Sequence, residues 1–376
     1  MVLRPFTAAF PAWAKLNDSA QFLATVRERF SDYKAQDLFL AELEPAMYAY
    51  QISLPQGSKI GLIAAVSIQD YLEERVKRHE HTLVAKEVKQ AELLRERDAV
   101  VKPVLLAHRP HQALADLLRT YVERHSPTHE LHLPDGDETH RFWKITTGED
   151  LEQIQYYFGR YIRTTYIADG HHRFSAFARL YQQLADGDQR NPYGYLMCAL
   201  FPSNQLLIHN FNRVVKNADE QGSALRFLAQ LSQFADLTPL DSSVEPENLH
   251  ELTFYIKGEW MRMRWRQEII QQHQDAGLPT MDVTMLNHYV LNKILGFADI
   301  RNDKRIKYIE GPRGLAPLEK MTDEHAAVAF CMHPLSWDSF FRVIDHGLVL
   351  PPKSTWFEPR MKNGLVVQTM RTQGRY

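Results

Sequence analysis

Two hydrophobic periods alternate along this chain, and they mark strands and helices in turn. Runs of alternating or continuous apolar residues predict strands at residues 46–52, 59–66, 101–107, 143–145, 162–167, 193–201, 206–215 and 326–332. Residues 252–256 and 259–265 read as an antiparallel hairpin turned by Lys257-Gly258. Apolar residues at helical spacing predict helices over 19–29, 112–125, 149–157, 174–184, 218–236 and 284–295. The charged stretch 71–98, with Leu72, Val76, Leu83, Val88 and Leu94 spaced helically, reads as one or two solvent-edged helices. Residues 134–137 form a loop, and 240–280 are polar enough to suggest an accessory segment. The predicted class is α/β in the broad sense, a mixed α+β arrangement rather than an orderly doubly wound sheet.

A chain of 376 residues exceeds the size one core usually serves, so two lobes or one large, elaborated α/β domain are expected, and the two-lobe division is placed at residues 1–215 and 216–376. The formal charge of −2, without long Lys or Arg blocks, argues against duplex nucleic acid as the main partner. Cys198 and Cys331 both sit in apolar runs, where an inert buried thiol in a reducing cytosol is the default. The first residues lack the pattern of a signal peptide, and the apolar runs are too short to span a bilayer. A cytoplasmic protein is expected, with no membrane partner and with a homo-oligomer left open.

Chemistry concentrates in Tyr166-Ile167-Ala168-Asp169-Gly170-His171-His172-Arg173-Phe174. This is a strand-to-helix turn, where unpaired backbone N–H groups and the helix dipole favour an anion and a glycine lets it approach. His171, His172 and Arg173 add side-chain donors, while Asp169 is placed to hold a divalent metal or to take a proton. A plain Asp-Gly turn with a helix cap would account for one or two of these polar residues, not four.

Glu80, in His79-Glu80-His81-Thr82, is a candidate general base on a charged helix, where His79 and His81 would face apart and could not share an ion. Pro351-Pro352-Lys353-Ser354-Thr355 offers an ammonium and two hydroxyls behind rigid prolines, without the glycines of a P-loop. Arg213 is a possible second anion ligand, with a surface ion pair as the commoner alternative.

Taken in order, Arg4-Pro5-Phe6, Arg78-His79-Glu80-His81-Thr82, the Asp169 turn, Asn212-Arg213-Val214-Val215 and Pro351 to Pro359 resemble the family called domain of unknown function 1015, over essentially the whole chain. More distantly, Asp169-Gly170-His171-His172-Arg173 looks like the Gly-x-His-Arg phosphate motif of the ParB/sulfiredoxin fold. That likeness implies a nucleotide-binding core elaborated by further strands and helices, with Gly170, His172 and Arg173 as phosphate ligands and Asp169 at the metal or the acceptor. His171 stands where sulfiredoxins carry their cysteine, and no basic recognition helix of the ParB kind follows, so the kinase branch is the one that fits. The expectation is an enzyme using ATP or ADP and Mg2+ to phosphorylate a small hydroxylated metabolite such as serine. Glu80 and Asp169 would be catalytic, and Gly170, His171, His172, Arg173, Lys353, Ser354 and Thr355 would hold the nucleotide. A phosphohydrolase and a non-catalytic nucleotide-binding regulator are the rivals.

Overall fold

The computed structural model describes residues 1–133, 137–184, 191–216, 224–277, 279–325 and 327–370, so the expected loop at 134–136 lies outside it. The chain divides into two compact units, Met1–Leu207 with Pro359–Tyr376, and Ile208–Glu358. Helices and strands of both orientations make the class mixed α+β.

The first unit is built on a sheet ordered Val76–Lys77, Thr165–Asp169, Val104–His108, Tyr195–Pro202, Gly57–Ser67, Met47–Leu54, Glu138–Ile145 and His129–Leu133, with Leu3–Arg4 added beside Gly57–Ser67. Thr165–Asp169 runs parallel to Val76–Lys77, and Tyr195–Pro202 parallel to Val104–His108, while the other pairs are antiparallel. Tyr48, Tyr50, Phe142, Phe174, Phe177 and Phe201 fill its core. A second, four-stranded sheet joins Phe39–Ala41, Ala8–Pro11, Val367–Thr369 and Ala99–Val100, which pins the C-terminal segment into this unit. Burial on both faces explains why its strands are apolar runs rather than clean alternations.

In the second unit the strand order is Ala235–Leu240, Glu259–Trp265, Glu251–Ile256, Val328–Met332, Phe211–Val215 and Ile306–Glu310. The predicted hairpin is present, and Lys257 (φ 52°) and Gly258 (φ 86°) supply the two positive φ angles of a tight turn whose twist suits the strands.

Several expectations are corrected. The 71–98 stretch is not one helical block: a helix Ile68–Leu72, a short strand Val76–Lys77 and a helix Val84–Arg97 replace it, and Glu74 (φ 58°) ends the first helix. His79 to Thr82 therefore lies on the connection before a helix, not within one. Of the helix expected at 218–236, Ala224–Leu231 is helical and Ala235–Leu240 is a strand. Residues 217–223 are outside the described residues. Pro239 is tolerated there because that strand pairs on one side only. The supposed accessory region 240–280 contains Glu251–Ile256, a buried strand inside the sheet whose polar flanks concealed it. Helix 284–295 begins as Asp282–Met285 and continues as a π-helix over Leu286–Ile294.

Gly61 faces Tyr50 across the sheet, and a Cβ on it would meet the Leu200 carbonyl oxygen and the Phe201 ring at 2.7 Å. Backbone cannot give way as a flexible side chain can. Gly61→Ala is expected to cost about 1–3 kcal/mol, read as a lower urea midpoint with an unchanged slope. An unchanged midpoint would show that the sheet yields there.

Candidate functional site

The strand Thr165–Asp169 is buried except at its last residue, and it hands the chain to the helix His171–Gln183 through Gly170. Its pairing with Val104–His108 slips between Ile167 and Asp169, a bulge that re-aims the Asp169 side chain. Gly170 has φ 105°, which an L side chain rarely adopts, and a Cβ there would stand 2.5 Å from Arg173 Nη2. Glycine is thus required twice, for its backbone and for the guanidinium folded back over it. No side chain caps the helix, so its first N–H groups remain oriented toward the turn.

Asp169 is the centre of the site. Oδ2 accepts from Arg173 Nη2 at 2.9 Å and lies 3.2 Å from Lys102 Nζ, while Oδ1 accepts from Arg360 Nη2. Arg173 also reaches the Pro103 carbonyl at 3.4 Å. Burial would raise the carboxyl's pKa, but Arg173, Lys102 and Arg360 overcome it and hold the group well below the usual carboxylate range. Three cations thus converge on this one carboxylate. Burial, with Arg173 and Arg360 beside it, pushes Lys102 down to about 8 against the pull of Asp169.

Glu80 arrives from the connection preceding the Val84–Arg97 helix, and its Oε1 lies 3.5 Å from His171 Nδ1. Two candidate residues far apart in sequence therefore meet at one helix N-terminus. His79 Nδ1 donates to the Ile167 carbonyl at 2.8 Å, and its ring meets the His171 ring edge-on at 4.3 Å between centroids. Burial lowers the His79 pKa to about 4, and burial together with His79 drives that of His171 well down, so both rings are neutral at pH 7. His172 turns toward Lys86 and Glu87, its pKa lowered by burial and then by Lys86. His171 Nε2, His172 Nδ1 and Arg173 Nε are buried without a hydrogen-bond partner, three orphans on consecutive residues.

The unpartnered Arg173 Nε–H and the cations gathered at Asp169 fit a phosphate. A divalent metal at Asp169 does not fit, because both carboxylate oxygens already face cations. Among the described residues no group of three or more His, Cys, Asp or Glu could hold an ion. Lys353, Ser354 and Thr355 belong to the second unit. There the Lys353 ammonium lies 4.8 Å from the centre of the Phe211 ring, and Ser354 Oγ donates to the Pro351 carbonyl at 2.6 Å. The Lys353 carbonyl accepts from Arg213, which is fully buried rather than a surface ion pair.

Sequence reasoning missed Lys102 and Arg360. Each left a trace: Lys102 is a lone charge inside the apolar run from Ala99 to Ala107, and Arg360 follows Glu358-Pro359 in the proline-rich segment.

The family described as protein of unknown function (DUF1015) matches residues 11–284. The chain belongs to it. No curated protein matches this DUF1015 chain. Among solved structures it is similar to SbnI with a C-terminal truncation from Staphylococcus aureus, at 12% identity, with 83% of this chain and 90% of that one covered and a TM-score of 0.44. It is also similar to a free serine kinase mutant in complex with ADP (14% identity, 81% and 92% covered, TM-score 0.37) and to a conserved hypothetical protein from Pyrococcus furiosus (12%, 81% and 95%, 0.36). At such TM-scores the fold class of the DUF1015 chain rests on its own elements. Among its described residues, no helix is long and apolar enough to cross a membrane.

Asp169→Asn keeps the shape and removes the charge that three cations share. A loss of about 3–5 kcal/mol at pH 7 is expected, as for breaking a buried ion pair. Because the folded carboxyl's pKa lies below its unfolded value, its contribution is present above about pH 4 and is lost as pH falls. The gap between wild type and variant in urea unfolding should therefore narrow by about 1.4 kcal/mol per pH unit below about pH 4. A gap equal at pH 7 and pH 3 would contradict this account.

Proposed function

We propose that this DUF1015 protein is a nucleotide-dependent phosphotransferase acting on a small hydroxylated metabolite, with the phosphates held at the Gly170 turn. The observation that carries the reading is the meeting, at one helix N-terminus, of three gathered cations and the Glu80 carboxylate. Phosphoryl transfer asks a protein mainly for positioned positive charge around the phosphoryl group and a carboxylate near the attacking hydroxyl.

Arg173, Lys102 and Arg360 are the phosphate ligands in this reading, and the backbone N–H groups of His171 and His172, which open the helix, supply further donors. Glu80 is the carboxylate of the acceptor side. Asp169 is reassigned from catalysis and metal binding to organising the three cations, because a carboxylate this strongly held gives a poor base. The distant likeness of the turn to the ParB/sulfiredoxin phosphate motif agrees with this use of Gly170 and Arg173. The free serine kinase solved with ADP and with AMP makes serine a sensible first acceptor, though the geometry, not that likeness, bears the argument.

Calorimetric titration with ADP and ATP, with and without Mg2+, is the test. Wild type should bind, Arg360→Met should weaken binding at least about tenfold, and Glu80→Gln should bind normally yet fail to transfer phosphate to serine or another hydroxyl acceptor. Absence of nucleotide binding would end the reading, and normal binding without any transfer would make the protein a sensor. Affinity should also fall as pH rises through about 8, where Lys102 loses its proton. Lys102→Met should flatten that dependence, and a pH profile unaltered in this variant would remove Lys102 from the site.

A further inference from the structure

The turn offers two histidines to a ligand, yet the first of them is placed for other work. We propose that His171 is not a phosphate ligand but the positioning residue that fixes the Glu80 carboxylate beside the phosphate turn. The inference rests on the phosphotransferase reading above.

His171 is the first residue of its helix and is only 5% exposed. A neutral imidazole carries one N–H, and the hydrogen bond made by one nitrogen decides which tautomer is present. Glu80 Oε1 lies 3.5 Å from Nδ1, long for a hydrogen bond but close enough for its negative charge to favour the proton on that nitrogen. Nε2 is then a bare lone pair, buried and without a partner. A lone pair repels a phosphate oxygen, so the same tautomer that serves Glu80 disqualifies the ring as an anion ligand.

The ring is also braced. His79 is locked by its bond to the Ile167 carbonyl, on the strand that ends in Asp169, and its ring packs edge-on against His171. A chain of contacts thus runs from the backbone of that strand through two neutral imidazoles to Glu80. Its neutrality has a function, since a protonated His171 would itself form an ion pair with Glu80. The two histidines therefore set an uncharged, braced ring against the acceptor-side carboxylate, as an orienting carboxylate does for the base of a catalytic triad.

Two measurements on the full-length chain test this. In histidine-labelled protein at pH 7, nitrogen NMR should show His171 neutral and protonated on Nδ1, with its proton resonance moving upfield in Glu80→Gln as the negative charge facing that nitrogen is removed. A merely structural histidine would not respond to that change. In calorimetry, His171→Asn, whose amide nitrogen falls near the Nδ1 position, should bind ADP within about threefold of wild type, whereas loss of a phosphate ligand would cost about tenfold or more. An Nε2–H tautomer, an imidazolium, a resonance indifferent to Glu80→Gln or a tenfold loss of ADP affinity in His171→Asn would each overturn the assignment. If His171→Asn does not fold, the NMR comparison of wild type with Glu80→Gln decides alone. A wild type that binds no ADP defeats the phosphotransferase reading and this inference together, whereas binding with the wrong tautomer defeats only the inference.

Discussion

The ion cluster around Asp169 is the constraint on which the site depends. A carboxylate at the end of a buried strand is costly unless its charge is answered, and here Arg173, Lys102 and Arg360 answer it from three separate parts of the chain. Each recruits a piece of backbone. Arg173 brings the first turn of its own helix, Lys102 brings the approach to the Val104–His108 strand, and Arg360 brings the C-terminal segment back to the first unit. That segment is fastened further by Lys362 to Glu138 at 2.7 Å, by Gly364 N–H to the Val101 carbonyl, and by the Val367–Thr369 strand in the smaller sheet.

The same cluster explains local features that would look arbitrary alone. The bulge before Asp169 is the turn of backbone that aims its carboxylate. Gly170 is needed because Arg173 folds back over it, so the glycine and the arginine of the motif are one device. Asp169 also lets three cations sit together with no ligand present, by offsetting their mutual repulsion and holding them near the helix N-terminus. Positive charge organised in advance is what an anion site needs, because little reorganisation is then left to oppose binding.

Much of this was legible in the sequence, and the limits have physical reasons. The strand, the turn and the helix around Asp169 were readable because their periods change sharply at one glycine. Glu80 was readable as a candidate, but not its proximity to His171, since pairings across the chain leave no periodic trace. The 71–98 stretch misled because Leu72, Val76 and Leu83 keep helical spacing while Val76 is spent on a parallel pair with Thr165. Lys102 and Arg360 were overlooked because a single charge in an apolar run, or after a proline, has no local pattern that tells an ion pair from solvent exposure. The C-terminal segment was singled out for Lys353, Ser354 and Thr355, while its contact with Asp169 is made by Arg360.

The titration states complete the argument. Burial leaves His79 and His171 neutral, whereas Lys102, though lowered to about 8, keeps its charge beside Asp169 at pH 7. One buried environment thus sets charged groups around Asp169 and an uncharged imidazole against Glu80. In the proposed transfer a phosphoryl group is served by the first and an acceptor hydroxyl by the second, because a protonated imidazole would weaken the carboxylate as a base. The separation follows from position: the guanidinium and ammonium groups reach Asp169, and the imidazoles are enclosed between the end of the strand and the start of the helix.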